Sequence, residues 1–254
     1  MSSEPALART APAPAPWLVR LGNVFFHHRN ALFPVVFLLV AALSKPRMSW
    51  GSVRADRIVD AVGLAIAFTG QALRWLVIGL AYIRRGGKGR RIHADDLVTD
   101  GFFAHSRNPL YLGNMLVYLG LFVILDSLLG WLVGVPFFLL AYIAITAAEE
   151  DYLHRQFGAT YDEYHRRVPR FLPDWRGIGA TLAGMQFNWK RLVRKEYGST
   201  FIWMTTALAL VYWEAVRNRG PAASADVLRF VLLLWVPVIV GYGISRYLKK
   251  SGRL

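Results

Sequence analysis

Residues 109–150, "PLYLGNMLVYLGLFVILDSLLGWLVGVPFFLLAYIAITAAEE", decide the fold. Two apolar runs, Leu110–Leu125 and Leu128–Ala148, are joined by the dipeptide Asp126-Ser127. Each run is close to the roughly 20 residues that carry a helix across the hydrocarbon core of a bilayer. Backbone in hydrocarbon has no water to bond to, so a lone span must be a helix that satisfies its own N–H and C=O groups. The stretch therefore predicts a two-helix membrane hairpin, with its polar entrance and exit on one side. At the entrance stands "HSRNP", residues 105–109, and at the exit the pair Glu149-Glu150.

The rest of the chain agrees with a membrane setting. It has 254 residues, 55% of them hydrophobic, with 9 Trp, 11 Tyr and 15 Phe and a mean hydropathy of +0.33. That is too apolar for an ordinary soluble domain. Four further apolar runs occur at Asn30–Leu43, Ile58–Ile83, Ser199–Val216 and Val227–Leu248. The expectation is an all-α polytopic bundle of six spans, or five if the short, Pro34-containing first run is re-entrant. The net charge of +14 suggests anionic lipid headgroups as partners, in place of nucleic acid. With no Cys, disulfides, thiolate metal sites and cysteine nucleophiles are excluded.

Lys and Arg concentrate after the second run (Arg84, Arg85, Lys88, Arg90, Arg91, Arg107) and after the fourth (Arg155 to Lys195). The positive-inside rule places both segments in the cytosol. Lys45, Arg47, Arg54 and Arg57 fall on the opposite side if the first run crosses, which leaves its crossing open. The Cys-free, Ala/Arg/Leu-rich usage points to a bacterial inner membrane. The expected organisation is a disordered or interfacial tail (1–29), two spans and a basic linker (30–96), a core (97–173), an amphipathic interfacial segment (174–198) and two last spans (199–254). Within 174–198, Ile178, Leu182, Met185, Trp189 and Leu192 recur at helical spacing. "RRGGKGRR", 84–91, lacks a phosphate-loop ending and reads as a solvated basic linker.

Pro109 suits a first helical turn, where its missing N–H costs nothing. The helix entrance therefore offers free N–H groups and a positive dipole end to an anion. Glu149 and Glu150, near the membrane surface, call for a cation; Arg155 or His154, one turn on, could serve. Gln71 and Arg74 sit one turn apart inside the second run, either as a polar patch facing a substrate or with Arg74 snorkelling to the surface. The histidines form no His-Glu-x-x-His, and Glu150-x-x-x-His154 alone is poor evidence for a metal site.

Gly101-x-Phe103, then Arg107-Asn108-Pro109-x-Tyr111-x-Gly113, then Glu149-Glu150 followed by Phe157-Gly158, Tyr161-x-x-Tyr164 and Arg170-x-x-Pro173, stand in one order. Over about Leu97 to Pro173 the chain resembles the isoprenylcysteine carboxyl methyltransferase and phospholipid N-methyltransferase superfamily. The resemblance implies S-adenosyl-L-methionine bound on the cytosolic side and a lipidic acceptor entering from the bilayer. It implies cofactor contacts from His105, Asn108, Pro109, Tyr111, Gly113, Glu149, Glu150, Tyr161 and Tyr164. Arg107, Glu150 and Arg170 become the candidate catalytic residues, and Gln71 and Arg74 the candidate substrate contacts. Tyr161 and Tyr164 read equally as interfacial aromatic residues. Asn108 stands where the family has histidine; it keeps a donor and an acceptor but cannot titrate. Two alternatives share parts of the pattern: a steroid reductase-like NADPH enzyme, and a non-catalytic lipid-binding scaffold.

Overall fold

The computed structural model describes residues 14–47, 51–80, 85–88 and 91–254, with backbone alone at 85–88 and 91. Helix α1 spans Pro16–Leu43, so it begins well before the apolar run at Asn30. Asn23, His27, His28 and Arg29 interrupt the run without interrupting the helix, and Pro16 sits in its first turn, where proline is tolerated. The expected tail is thus helical from Pro16 on; residues 1–13 lie outside the described residues. Pro34 is accommodated inside the helix. At one end Gly22 lies against Ala144 and Ala148, and at the other the Ser44 and Ser127 hydroxyls meet at 2.8 Å. The first segment therefore traverses the bundle and is not re-entrant. Its loop ends beside the Asp126-Ser127 turn, and Arg57 pairs there with Asp226 at 2.6 Å.

Helix α2 is Val53–Leu80, α3 Pro109–Leu125 and α4 Val135–Phe157, which a π-helical turn at 130–134 leads into. Helices α5 (Ala159–Arg167) and α6 (Ile178–Ala183) are short, and α7 (Trp189–Arg219) and α8 (Ala225–Lys250) close the chain. Four helical segments, Pro16–Leu43, Val53–Leu80, Gly130–Phe157 and Ala222–Lys250, are long and apolar enough to cross a membrane, and Pro109–Leu125 is a shorter apolar helix. The protein is an integral membrane protein. One element departs from the all-α expectation: β1 (Arg85–Lys88) pairs antiparallel with β2 (Arg91–Ala94) where a linker was expected. This stretch has no apolar helical stripe, and its backbone groups pair across a hairpin instead.

The segment 174–198 is also not one amphipathic helix. It breaks after Ala183; Asn188 then caps α7 by accepting from the Arg191 N–H at 2.8 Å. Ile178, Leu182 and Met185 pack onto Val77, Phe102 and Phe103, while Trp189 remains exposed. Arg191 donates to the carbonyls of Ile78 and Gly79, which satisfies orphan groups at the end of α2.

Two glycine pairs set a close contact between α2 and α3. Gly63 meets Gly120, and Gly70 meets Gly113, each pair seven residues from the next along antiparallel α2 and α3. A Cβ on Gly120 would stand 2.4 Å from the Gly63 carbonyl oxygen, and one on Gly70 2.5 Å from that of Gly113. Small residues of this kind let helices approach closely in a bilayer. Around them Phe33, Phe37, Tyr118, Phe122, Phe138 and Tyr142 form the aromatic core, with Tyr118 stacked on Phe138 at 3.8 Å between ring centroids.

Candidate functional site

Asn108 is the last non-helical residue before α3 and Pro109 the first helical one. The polar segment ahead of it is stitched to residues 169–174. The Arg107 N–H donates to the Pro169 carbonyl at 2.9 Å, and the Asp174 N–H to the His105 carbonyl at 2.9 Å. Ser106 Oγ donates to the Phe171 carbonyl at 2.8 Å and Asn108 Nδ2 to the Arg170 carbonyl at 3.2 Å. His105 uses both ring nitrogens: Nδ1 donates to the Asp174 carbonyl at 2.7 Å and Nε2 meets Thr181 Oγ1 at 2.9 Å. His105 is thus a structural staple in this fold.

The paired glutamates diverge, as neighbours about 100° apart on a helix must. Glu150 binds two cations. Arg107 Nη2 lies 3.3 Å from its Oε1, Arg170 Nη2 2.8 Å from its Oε2, and Arg170 Nε 3.2 Å from its Oε1. Arg107 and Glu150 are buried, whereas Arg170 is partly exposed. The three candidate catalytic residues therefore come together, but as an ion-paired clamp between the start of α3, the end of α4 and the 169–174 segment. Arg155 and His154 turn elsewhere, to Asp151 and Asp162.

Glu149 points the other way. Tyr111 Oη donates to its Oε1 at 2.5 Å and accepts from Arg29 Nη1 at 3.4 Å. Both residues face a cavity of about 820 Å³ lined by α1, α2, α3, α4 and α7. That volume falls within the usual range of ligand pockets, roughly 300–1,000 Å³. Arg29, Asn30, Gln71, Arg74, Asn108, Asn114, Glu149, Ser199 and Thr206 supply polar groups to its wall, and Phe33, Tyr111, Tyr118, Tyr142 and Trp203 supply rings.

Other expected contacts do not reach the cavity. Gly113 packs against the Gly70 carbonyl and the Arg74 stem. Pro109 is buried at the helix start. Tyr161 and Tyr164 form a separate small core with Ala94, Leu153 and Val168, and Tyr164 Oη donates to the Phe103 carbonyl at 2.8 Å. Spacing brought these tyrosines onto one face; the face is internal.

Arg74 and Gln71 do line the cavity, and α7 holds them there. Glu196, buried, accepts from Arg74 Nη2 at 2.6 Å, Arg74 Nε at 2.9 Å and Gln71 Nε2 at 3.0 Å. Arg74 Nη1 donates to Asn114 Oδ1 at 2.6 Å. This bidentate geometry is the strong form of an arginine–carboxylate pair. A double-mutant cycle of Arg74→Met and Glu196→Gln is expected to show coupling of about 0.5–3 kcal/mol in thermal unfolding; additive effects would mean the pair is not formed.

The sequence reading missed Arg29, Asn30, Asn114, Tyr118, Tyr142 and Glu196. Tyr111, Asn114 and Tyr118 share one face of α3 at helical spacing, a signal that was available in the sequence. Glu196 carried none, since its partner Arg74 lies 122 residues away.

A bundle of apolar helices around a cavity lined by rings and several polar groups defines the class: a polytopic membrane protein with a cavity between its helices. Residues 60–160 match the model of the phospholipid methyltransferase family. The chain is 29% identical over 174 residues to the nickel-cobalt-cadmium resistance protein NccN of Alcaligenes xylosoxydans xylosoxydans, covering 68% of this chain and 74% of that protein. It is 29% identical over 155 residues to the cobalt-zinc-cadmium resistance protein CzcN of Cupriavidus metallidurans, covering 60% and 67%. A third relative, protein-S-isoprenylcysteine O-methyltransferase of Schizosaccharomyces pombe, is 32% identical over 77 residues, or 30% of this chain and 33% of that enzyme. No solved structure matches the chain.

Proposed function

We propose that the protein is an integral membrane methyltransferase that uses S-adenosyl-L-methionine to methylate a lipidic or membrane-embedded acceptor, of the isoprenylcysteine carboxylate or phospholipid amine type. The observation that carries the reading is the cavity wall built by Asn108, Tyr111 and Glu149 inside the family-matched domain. The cofactor presents an ammonium, a carboxylate, a ribose diol, an adenine and a sulfonium. The wall offers a carboxylate, an arginine, amides and aromatic faces in the same space, so the donor set fits. When bound, the sulfonium supplies an activated methyl group.

The chain's own part is positioning and exclusion of water. Glu149 would hold positive charge, and Asn108 and Asn114 would bond neutral polar groups. Asn108 does not titrate, so it positions without moving a proton. Glu150 with Arg107 and Arg170 ties the start of α3, beside Asn108, to the end of α4, beside Glu149. The concentration of Lys and Arg after α2 and after α4 supports a cytosolic, headgroup-facing position for this end of the bundle. A neighbouring apolar groove of about 820 Å³, lined by Phe68, Trp75, Phe201, Met204 and Tyr242 among others, shares Trp203 with the cavity and offers the acceptor's hydrocarbon a place.

The test is transfer of label from methyl-tritiated S-adenosylmethionine into the organic-soluble fraction of membranes holding the protein. Labelled lipid that disappears with Glu149→Ala is expected; no label above membranes without the protein contradicts the reading. The relatives named for metal resistance suggest including membranes from cells grown with nickel, cobalt or cadmium.

A further inference from the structure

The cavity's charges are distributed unequally. Arg74 has its guanidinium filled by Glu196 and Asn114. Arg29, on α1, makes a single long hydrogen bond among the described residues, to Tyr111 Oη at 3.4 Å, and lies over the Phe26 ring at 4.1 Å from its centroid. It faces the same space as Glu149, and Tyr111 stands between the two, donating to one and accepting from the other. A cation and an anion are therefore held near each other on one cavity wall, with a hydroxyl between them.

We infer that this wall is a receptor for an α-amino-acid zwitterion, in which Arg29 takes the carboxylate and Glu149 the ammonium of the cofactor's methionyl end. An α-amino acid carries its two opposite charges a few bonds apart, as this wall does. The planar guanidinium matches a carboxylate with two parallel N–H donors, which a lysine cannot do. A charged side chain inside a membrane helix and facing an internal cavity is costly without a partner, and ligand charge supplies one. Arg29 lies outside the family-matched residues 60–160, so α1 contributes to the site as well as to the bundle. The inference rests on the methyltransferase reading and adds to it the direction in which the cofactor lies, with its amino-acid end toward α1 and α4.

Two probes separate the inference from the reading beneath it. S-adenosylhomocysteine has the amino-acid end; 5′-methylthioadenosine has the same nucleoside and lacks it. Their equilibrium binding would be measured to wild type, Arg29→Gln and Arg29→Lys in nanodiscs of uncharged lipid, each variant checked by thermal unfolding and gel filtration. Arg29→Gln is expected to weaken S-adenosylhomocysteine about 10- to 100-fold, the loss of a charged hydrogen-bonded pair, and to leave methylthioadenosine within about twofold. Arg29→Lys, which keeps the charge without the fork, should fall between. Glu149→Gln should show the same selectivity, and serves if Arg29→Gln does not fold. Unchanged S-adenosylhomocysteine binding by Arg29→Gln, as expected if Arg29 serves a lipid headgroup, overturns the inference, and so does equal weakening of both probes. Wild type that binds neither probe overturns the methyltransferase reading itself.

Discussion

Replacing Glu150 by alanine is expected to destabilise the protein by about 3–5 kcal/mol, because it takes the Glu150 carboxylate from the buried Arg107 guanidinium and breaks a buried ion pair. Arg170 adds less, since it is partly exposed and water can take over its charge. Thermal unfolding in detergent reads the loss directly. The double variant Glu150→Ala/Arg107→Met should recover much of it, since a buried ion pair replaced by apolar side chains is often nearly neutral. If Glu150→Ala unfolds like wild type but abolishes methyl transfer, the clamp described here is wrong and Glu150 acts on the ligand.

Glu149→Ala should affect ligand binding more than folding. It removes one partner of Tyr111, a hydroxyl–carboxylate bond whose net worth to folding is about 1.5–3 kcal/mol, and removes the carboxylate from the cavity wall. S-adenosylhomocysteine binding is expected to fall about 10- to 100-fold, with a smaller loss of unfolding temperature than in Glu150→Ala. Calorimetric titration beside the unfolding curves separates the two outcomes. Equal affinity in Glu149→Ala and wild type would show that the cavity wall is not the ligand's partner.

The contrast between these adjacent residues marks what could be read from the chain. Their presence as a pair at the end of an apolar run was visible, and so was the need of a carboxylate there for a cation. Which glutamate meets Arg107 depends on how α4 is rotated against α3, and no local pattern states that. The hairpin 109–150 was legible because its long apolar runs leave a backbone in lipid little choice but the helix. The start of α1 was not, because Asn23, His27, His28 and Arg29 are polar and yet lie on a helix whose other face packs Phe25, Phe26 and Phe33 into the core. Hidden with that start was Arg29. The break between α6 and α7 escaped detection for the reverse reason: Ile178 to Leu192 keep helical spacing across a segment that turns at Gly184–Asn188.

Gly113, Tyr161 and Tyr164 belong to motifs that the resemblance ties to the cofactor, and the fold gives each a packing duty. Gly113 permits the close approach of α2, which carries Gln71 and Arg74 to the cavity. Tyr164 fixes Phe103, whose ring lines the same space. These residues support the cavity from behind its wall.

The most direct test is the location of the ligand. A cryo-electron microscopy map of the protein in nanodiscs with S-adenosylhomocysteine should show its density in the cavity against Asn108, Tyr111 and Glu149. Density for the ligand elsewhere, such as in the groove beside Trp75, Phe201 and Tyr242, with the cavity occupied by lipid, would contradict the account.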